Sequence, residues 1–191
     1  TNVLVKYDMS TRNKIWKNTG SGSNGHDYRS VPGFVSSAYF GSATGDTADI
    51  IRVTEANDET TVRALGTATA ATNKIYTRKE PTAKIYFGPN DTRVYKMDAS
   101  TLNIEWTSTD LGSETIGPLI GSNHGVAKDF VFQGAGENIH FIQISDGNRT
   151  TQIPIEGAVS TNMIMRSDRL YVGTTLGKGY CINIATASIV Y

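Results

Sequence analysis

Gly20-Ser-Gly22-Ser-Asn-Gly25 spells G-x-G-x-x-G, the spacing that lets a backbone wrap a dinucleotide pyrophosphate. That chemistry needs a buried strand before the glycines and a helix N-terminus after them. Here His26-Asp-Tyr-Arg-Ser-Val-Pro32 follows, with no helical period and a proline, so the segment reads as a loop. The histidines His26, His124 and His140 lack the i+3 or i+4 partner that presents two imidazoles to zinc. No G-x-S-x-G elbow offers a serine nucleophile. Glu55, Asp58 and Glu59, with Asp46 and Asp49 nearby, do not alternate as a calcium loop requires and read as a solvated hairpin tip. The single cysteine, Cys181, lies between Tyr180 and Ile182 in a strand-like run. It reads as a small buried side chain with no disulfide partner in the chain. Asn90-Asp-Thr92 and Asn148-Arg-Thr150 are glycosylation sequons, relevant only in a glycosylating compartment. No residue is assigned a catalytic, cofactor-binding or metal-binding role, and the chain reads as a non-enzyme without cofactor.

Composition narrows the partners. The 191 residues carry 18 basic and 18 acidic side chains, a net charge of zero. Lys14, Lys17, Arg29, Arg78 and Lys79 are scattered among acids, so no patch points to nucleic acid or an anionic membrane. No apolar run approaches the roughly 18–20 residues of a membrane helix. The opening Thr-Asn-Val-Leu has no charged leader region. Abundant Ser, Thr, Asn and Gly suit an extracellular, envelope or virion-surface β protein.

The elements that would position any site are strands. Short runs of Val, Ile, Tyr, Phe and Thr alternate with Gly, Asn, Asp and Ser clusters, and helical periodicity is nearly absent. One phrase recurs. Asp8, Thr11 and Trp16 stand at offsets 0, +3 and +8, as do Asp98, Thr101 and Trp106, and Asn183, Thr186 and Tyr191. Weaker copies fall around Thr54 and Ser145, and the five starts are separated by 46, 44, 47 and 38 residues. A period of that size marks a propeller or a solenoid. A short Asp or Asn side chain can close a turn by accepting backbone N–H groups two or three residues on. The aromatic at +8 would lie on an outer strand and cover the gap between neighbouring sheets. These nine residues are therefore read as structural.

The clearest unit runs through Lys84–Gly88, a turn at Pro89–Asp91, Arg93–Met97, a turn at Asp98–Thr101, and Leu102–Trp106. Small-residue segments at 31–37, 66–71, 116–121 and 157–161 precede the units and are expected to form innermost strands, where blades crowd. The expectation is an all-β propeller of four-stranded antiparallel blades: full blades at 30–65, 66–107, 115–156 and 157–191. The outer strands of another blade occupy 1–17. Four blades and a half do not close a ring, so the segment is expected to belong to a longer or partner-completed propeller.

Leu170-Tyr-Val-Gly173 and Tyr95-Lys-Met-Asp98-Ala-Ser-Thr101 to Trp106 resemble the quinoprotein-type, or PQQ-like, repeat: Tyr-Val-Gly, a turn, an apolar strand, Asp-x-x-Thr-Gly and a Trp. The glycine after Thr is replaced by Arg12, Leu102 and Ala187. The family's dehydrogenases hold PQQ and calcium beneath a pair of adjacent cysteines, which a single Cys cannot supply. The resemblance thus implies a non-enzymatic branch: a scaffold for protein binding or assembly, working through loops such as 18–30, 42–49, 109–115 and 174–179. The alternatives are a fragment of a PQQ-dependent dehydrogenase, and a sensor or assembly domain that self-associates through an open propeller edge.

Overall fold

The computed structural model describes residues 4–7, 10–18, 27–28, 33–34, 37–44, 47–54, 60–64, 75–89, 91–113 and 117–191. All described strand pairs are antiparallel. β1 (Leu4–Tyr7) and β2 (Lys14–Asn18) form a two-stranded sheet, the half blade. The first full blade holds β3 (Asp27–Tyr28), β4 (Gly33–Phe34), β5 (Ser37–Thr44), β6 (Thr47–Thr54) and β7 (Thr60–Ala64). Its innermost position is shared, since β3 and β4 both pair with β5. The second blade is β8 (Ile75–Lys79), β9 (Ala83–Phe87), β10 (Tyr95–Asp98) and β11 (Ile104–Thr107). The third is β12 (Leu119–Gly121), β13 (Phe130–Ala135), β14 (Asn138–Gln143) and β15 (Arg149–Pro154). The fourth is β16 (Ile164–Arg166), β17 (Arg169–Gly173), β18 (Gly179–Asn183) and β19 (Ser188–Ile189). The architecture is that of a partial β-propeller.

The core lies between the sheets, and strand alternation puts it there. Ile85, Phe87, Tyr95 and Met97 pack towards Ile50 of the first blade. Tyr86, between Ile85 and Phe87 in β9, faces the third blade with Val131 and Ile142. Phe132, Ile139 and Phe141 of the third blade meet Leu170, Val172 and Ile182 of the fourth. The second and third blades are buried on two faces, which is why their middle strands read as short continuous apolar runs. A fully buried side chain of this size contributes roughly 2–3 kcal/mol.

Two innermost strands differ from expectation. In the second blade the inner strand is Ile75–Lys79, with its polar-looking Thr-Arg-Lys, and segment 66–71 lies outside the described residues. In the fourth blade the strand proper is Ile164–Arg166, while 157–161 joins only through a bridge between Val159 and Thr174. The small residues there serve a different purpose. A Cβ on Gly117 would stand 2.5 Å from the Gly134 carbonyl oxygen, and one on Gly134 would stand 2.9 Å from Val159. Gly117 and Gly134 face each other within the third blade and Val159 of the fourth packs on Gly134, so only hydrogen fits at either position.

Candidate functional site

The turn from third to fourth strand is built by one short side chain. Asp98 Oδ1 accepts the Ser100 N–H at 2.9 Å, the Thr101 N–H at 2.9 Å and the Ser100 hydroxyl at 2.6 Å. Asn183 Oδ1 accepts Ala185 N–H at 3.0 Å and Thr186 N–H at 3.3 Å. The threonine adds a local bond: Thr11 Oγ1 accepts Asn13 N–H at 3.4 Å and Thr101 Oγ1 accepts Asn103 N–H at 3.3 Å. Thr186 Oγ1 pairs instead with Ser188 Oγ at 2.7 Å. Asp8 lies outside the described residues, as does the side chain of Trp16 on β2.

The residue after the threonine takes a left-handed backbone in each described turn, with φ of 58° at Arg12, 57° at Leu102 and 48° at Ala187. The third blade has its own such residue, Gly147 at φ 76°. Gly147 N–H donates to the Gln143 carbonyl at 2.9 Å, as Leu102 N–H does to that of Asp98 at 2.9 Å. The copy in the third blade therefore starts at Gln143, not Ser145. The longer Gln side chain stands where Asp or Asn would accept, and Asp146 Oδ1 accepts the Asn148 N–H at 3.0 Å instead.

Registered side chains cross the second and third blades on the face towards the next one. In the second blade the row is Tyr76, Tyr86, Lys96 and Trp106. Ring centroids are 5.9 Å apart between Tyr76 and Tyr86 and 5.9 Å apart between Tyr86 and Trp106, and the Lys96 ammonium sits 5.8 Å from the Tyr86 centroid. Trp106 reaches across the seam. Its indole N–H donates to the Ile144 carbonyl at 2.9 Å, and its ring leaves a Cβ on Gly147 only 2.7 Å of room.

The same seam holds an ion network. Lys96 pairs with Glu80 at 2.8 Å and stands 3.6 Å from Glu105. Lys84 pairs with Asp98 at 2.9 Å and with Glu105. Tyr86 donates its hydroxyl to Glu80. Ser100 first, then Lys84 and the Thr101 N–H, hold the Asp98 carboxyl well below the ordinary range. Burial opposes the Lys84 charge, but hydrogen bonds to Glu105 and Asp98 outweigh it and raise its pKa. Burial and Glu80 push the Tyr86 hydroxyl far up. These groups are fixed in one protonation state near neutral pH, which suits holding a seam rather than transferring protons. Above the network opens a cleft of about 370 Å³. The β8–β9 hairpin (Glu80, Pro81), the short 3-10 turn Val126–Asp129 (Lys128, Asp129) and the turn at Gln143–Ser145 line it. Arg78 bridges two of these lips by donating to the Lys128 carbonyl.

The one signal that Lys84 and Lys96 carry in the sequence is a lysine inside an otherwise apolar strand run. Of the other chemically suggestive residues, Gly20–Gly25, His26, Glu55, Asp58, Glu59 and Asp46 lie outside the described residues. Asp49 is on β6. His124 is in an exposed loop, where its N–H donates to Ser122 Oγ at 3.1 Å. His140 is wholly buried on β14, and burial lowers its pKa to about 4 with help from the Arg149 charge. Cys181 is buried and free. Among the described residues no cluster of three His, Cys, Asp or Glu could hold a metal. No described helix is long and apolar enough to cross a membrane.

No protein family description and no curated protein sequence matches this chain. Solved structures do match, and those described here are β-propellers. BamB from Moraxella catarrhalis is 12% identical with a TM-score of 0.69, covering 94% of this chain and 56% of its own. A chain of the mitotic checkpoint complex is 16% identical with a TM-score of 0.73, covering 94% and 55%. Apo AztD from Citrobacter koseri is 10% identical with a TM-score of 0.59, covering 86% and 45%. At these identities the likeness shows the fold. The chain spans about half the length of the structures it matches.

Proposed function

We propose that the chain is a non-catalytic propeller scaffold of the quinoprotein-like kind that binds a protein partner at the mouth of the seam between its second and third blades. The reading extends to a setting outside the cytoplasm, in the envelope, the extracellular space or a virion. The observation that carries it is the state of the seam. Its carboxylates and ammonium groups are spent on one another and on the blades, while three loops meet above them with charges of both signs, Lys128 and Asp129, exposed at the lip. A rigid platform with converging loops is a common way to build recognition. The left-handed residue that closes each described turn, a glycine at 147, supports the quinoprotein-like repeat.

The test reverses the lip. Partners are cross-linked in the cells of origin, and the protein attached to the lip is purified. Its affinity for the native polypeptide is then compared with that of Lys128→Glu/Asp129→Lys. We expect a loss of more than about tenfold with an unchanged melting midpoint, since exposed charges contribute little to stability. Equal affinity, or stoichiometric uptake of PQQ and calcium with dye reduction, would overturn the reading.

A further inference from the structure

Arg78 is a cation of the seam that no carboxylate holds. The acids around it are engaged elsewhere. Glu80 pairs with Lys96 and accepts the Tyr86 hydroxyl, while Asp98 and Glu105 pair with Lys84. Arg78 is in register with Lys84 on β9, so a like charge stands opposite it. Among the described residues it forms no ion pair, and the bond to the Lys128 carbonyl is the only hydrogen bond its side chain makes. That bond uses Nη1, the terminal nitrogen on the side of Cδ. The other edge of the guanidinium, Nε–H with Nη2, is left over: Nε is buried and has no acceptor. A buried donor without an acceptor is rare in a folded protein and costly.

Arg78 lines the cleft of about 370 Å³. The Nε–Nη2 edge is the one that matches a carboxylate, with two parallel N–H groups spaced for two oxygens. The lining sets the charge of what fits. Arg78, Lys96 and Lys128 stand against Glu80 and Asp129, which leaves one positive charge in excess. One carboxylate neutralises that excess, whereas a dianionic phosphate or a run of acids would be repelled by Glu80 and Asp129. We propose that a single Asp or Glu side chain of the protein partner enters the cleft and takes the Nε–Nη2 edge of Arg78 in a two-bond pair. This rests on the reading that a partner docks at the lip, and it divides the work there. Exposed Lys128 and Asp129 orient the partner at the rim, and Arg78 reads one acid within.

A double-mutant cycle with the cross-linked and purified partner tests this. The native polypeptide and Arg78→Lys are each titrated with the partner and with partner variants in which one exposed Asp or Glu at a time becomes Asn or Gln. Lysine keeps the charge and can still donate to the Lys128 carbonyl, but it has no fork. The expected result is a loss of about tenfold or more for Arg78→Lys. One partner acid should cost as much on the native polypeptide and nothing further on Arg78→Lys, the mark of a direct pair. The Arg78 Nε–H resonance of the native polypeptide, assigned through its own side chain, should move downfield with the partner and stay in place with that one partner variant. Native affinity in Arg78→Lys, or losses that multiply independently for every partner acid, would overturn the proposal. An Nε–H resonance that the partner leaves unmoved would overturn it too, and that readout does not depend on the variant folding. A loss on reversing Lys128 and Asp129 with none at Arg78 would sink the carboxylate and leave docking at the lip standing, whereas a loss at neither would sink both.

Discussion

Acidification should loosen the seam through one residue. His140 is 0% exposed, neither ring nitrogen makes a hydrogen bond of good geometry, the Ala135 backbone opposes the shift less than burial drives it, and the cross-strand neighbour Gln133 is equally buried with an unpartnered Oε1. Both lie on the face of the third blade turned to the second, and the charged group acting on the ring is Arg149. The folded-state pKa of about 4, against the ordinary 6.5, means that the unfolded chain binds the proton first as pH falls. Stability from this group is therefore complete above pH 6.5 and is lost between 6.5 and 4. The limiting slope is about 1.4 kcal/mol per pH unit, and the total loss is roughly 3 kcal/mol. Urea unfolding of the native protein and of His140→Gln, measured every half unit from pH 8 to 3.5, isolates the effect from His26 and His124. The native curve should fall more steeply by that amount in this window, with the two curves parallel outside it. Curves parallel throughout, or a His140 resonance titrating near 6.5, would refute the burial argument.

Three other outcomes follow from the seam. Trp106→Phe should cost about 1 kcal/mol, for the lost indole bond to Ile144, and Trp106→Ala about 3 kcal/mol in chemical denaturation. Gly134→Ala should destabilise by roughly 1–3 kcal/mol through its clash with Val159, and Val159→Ala in the same chain should recover part of that loss. Asp98→Ala should cost roughly 2 kcal/mol at pH 7. The depressed Asp98 pKa gives stability that is present above the ordinary carboxylate range and lost as pH falls below it, so the variant should show a flatter acid limb in a pH-dependent melting series.

The blades were legible because two signals coincide in them. Asp98 and Asn183 close their turns with a single oxygen, and the strands on either side alternate so that both faces are apolar. The third blade's copy sits two residues from the expected start because Gln143 replaces the short acceptor and Thr151 replaces the aromatic. The glycine sought in the other copies was there, at 147, but was not weighed. The inner strand Ile75–Lys79 was hidden because its polar Arg78 finds an acceptor only across the seam, at the Lys128 carbonyl. The pairing of Lys84 and Lys96 was hidden because their partners, Glu80, Asp98 and Glu105, stand up to 21 positions away and meet them only in the folded sheet. The cleft was illegible for the same reason. Its three lips come from separate loops, and none of them was among the loops singled out for recognition.

Hydrogen exchange of the native polypeptide with and without its cross-linked and purified partner tests the central claim most directly. Slowed exchange confined to the three lips, around 78–82, 124–129 and 143–146, with the blade strands unchanged, is the result a rigid scaffold predicts. Slowed exchange spread through the strands, or none at the lips while PQQ and calcium bind, would contradict it.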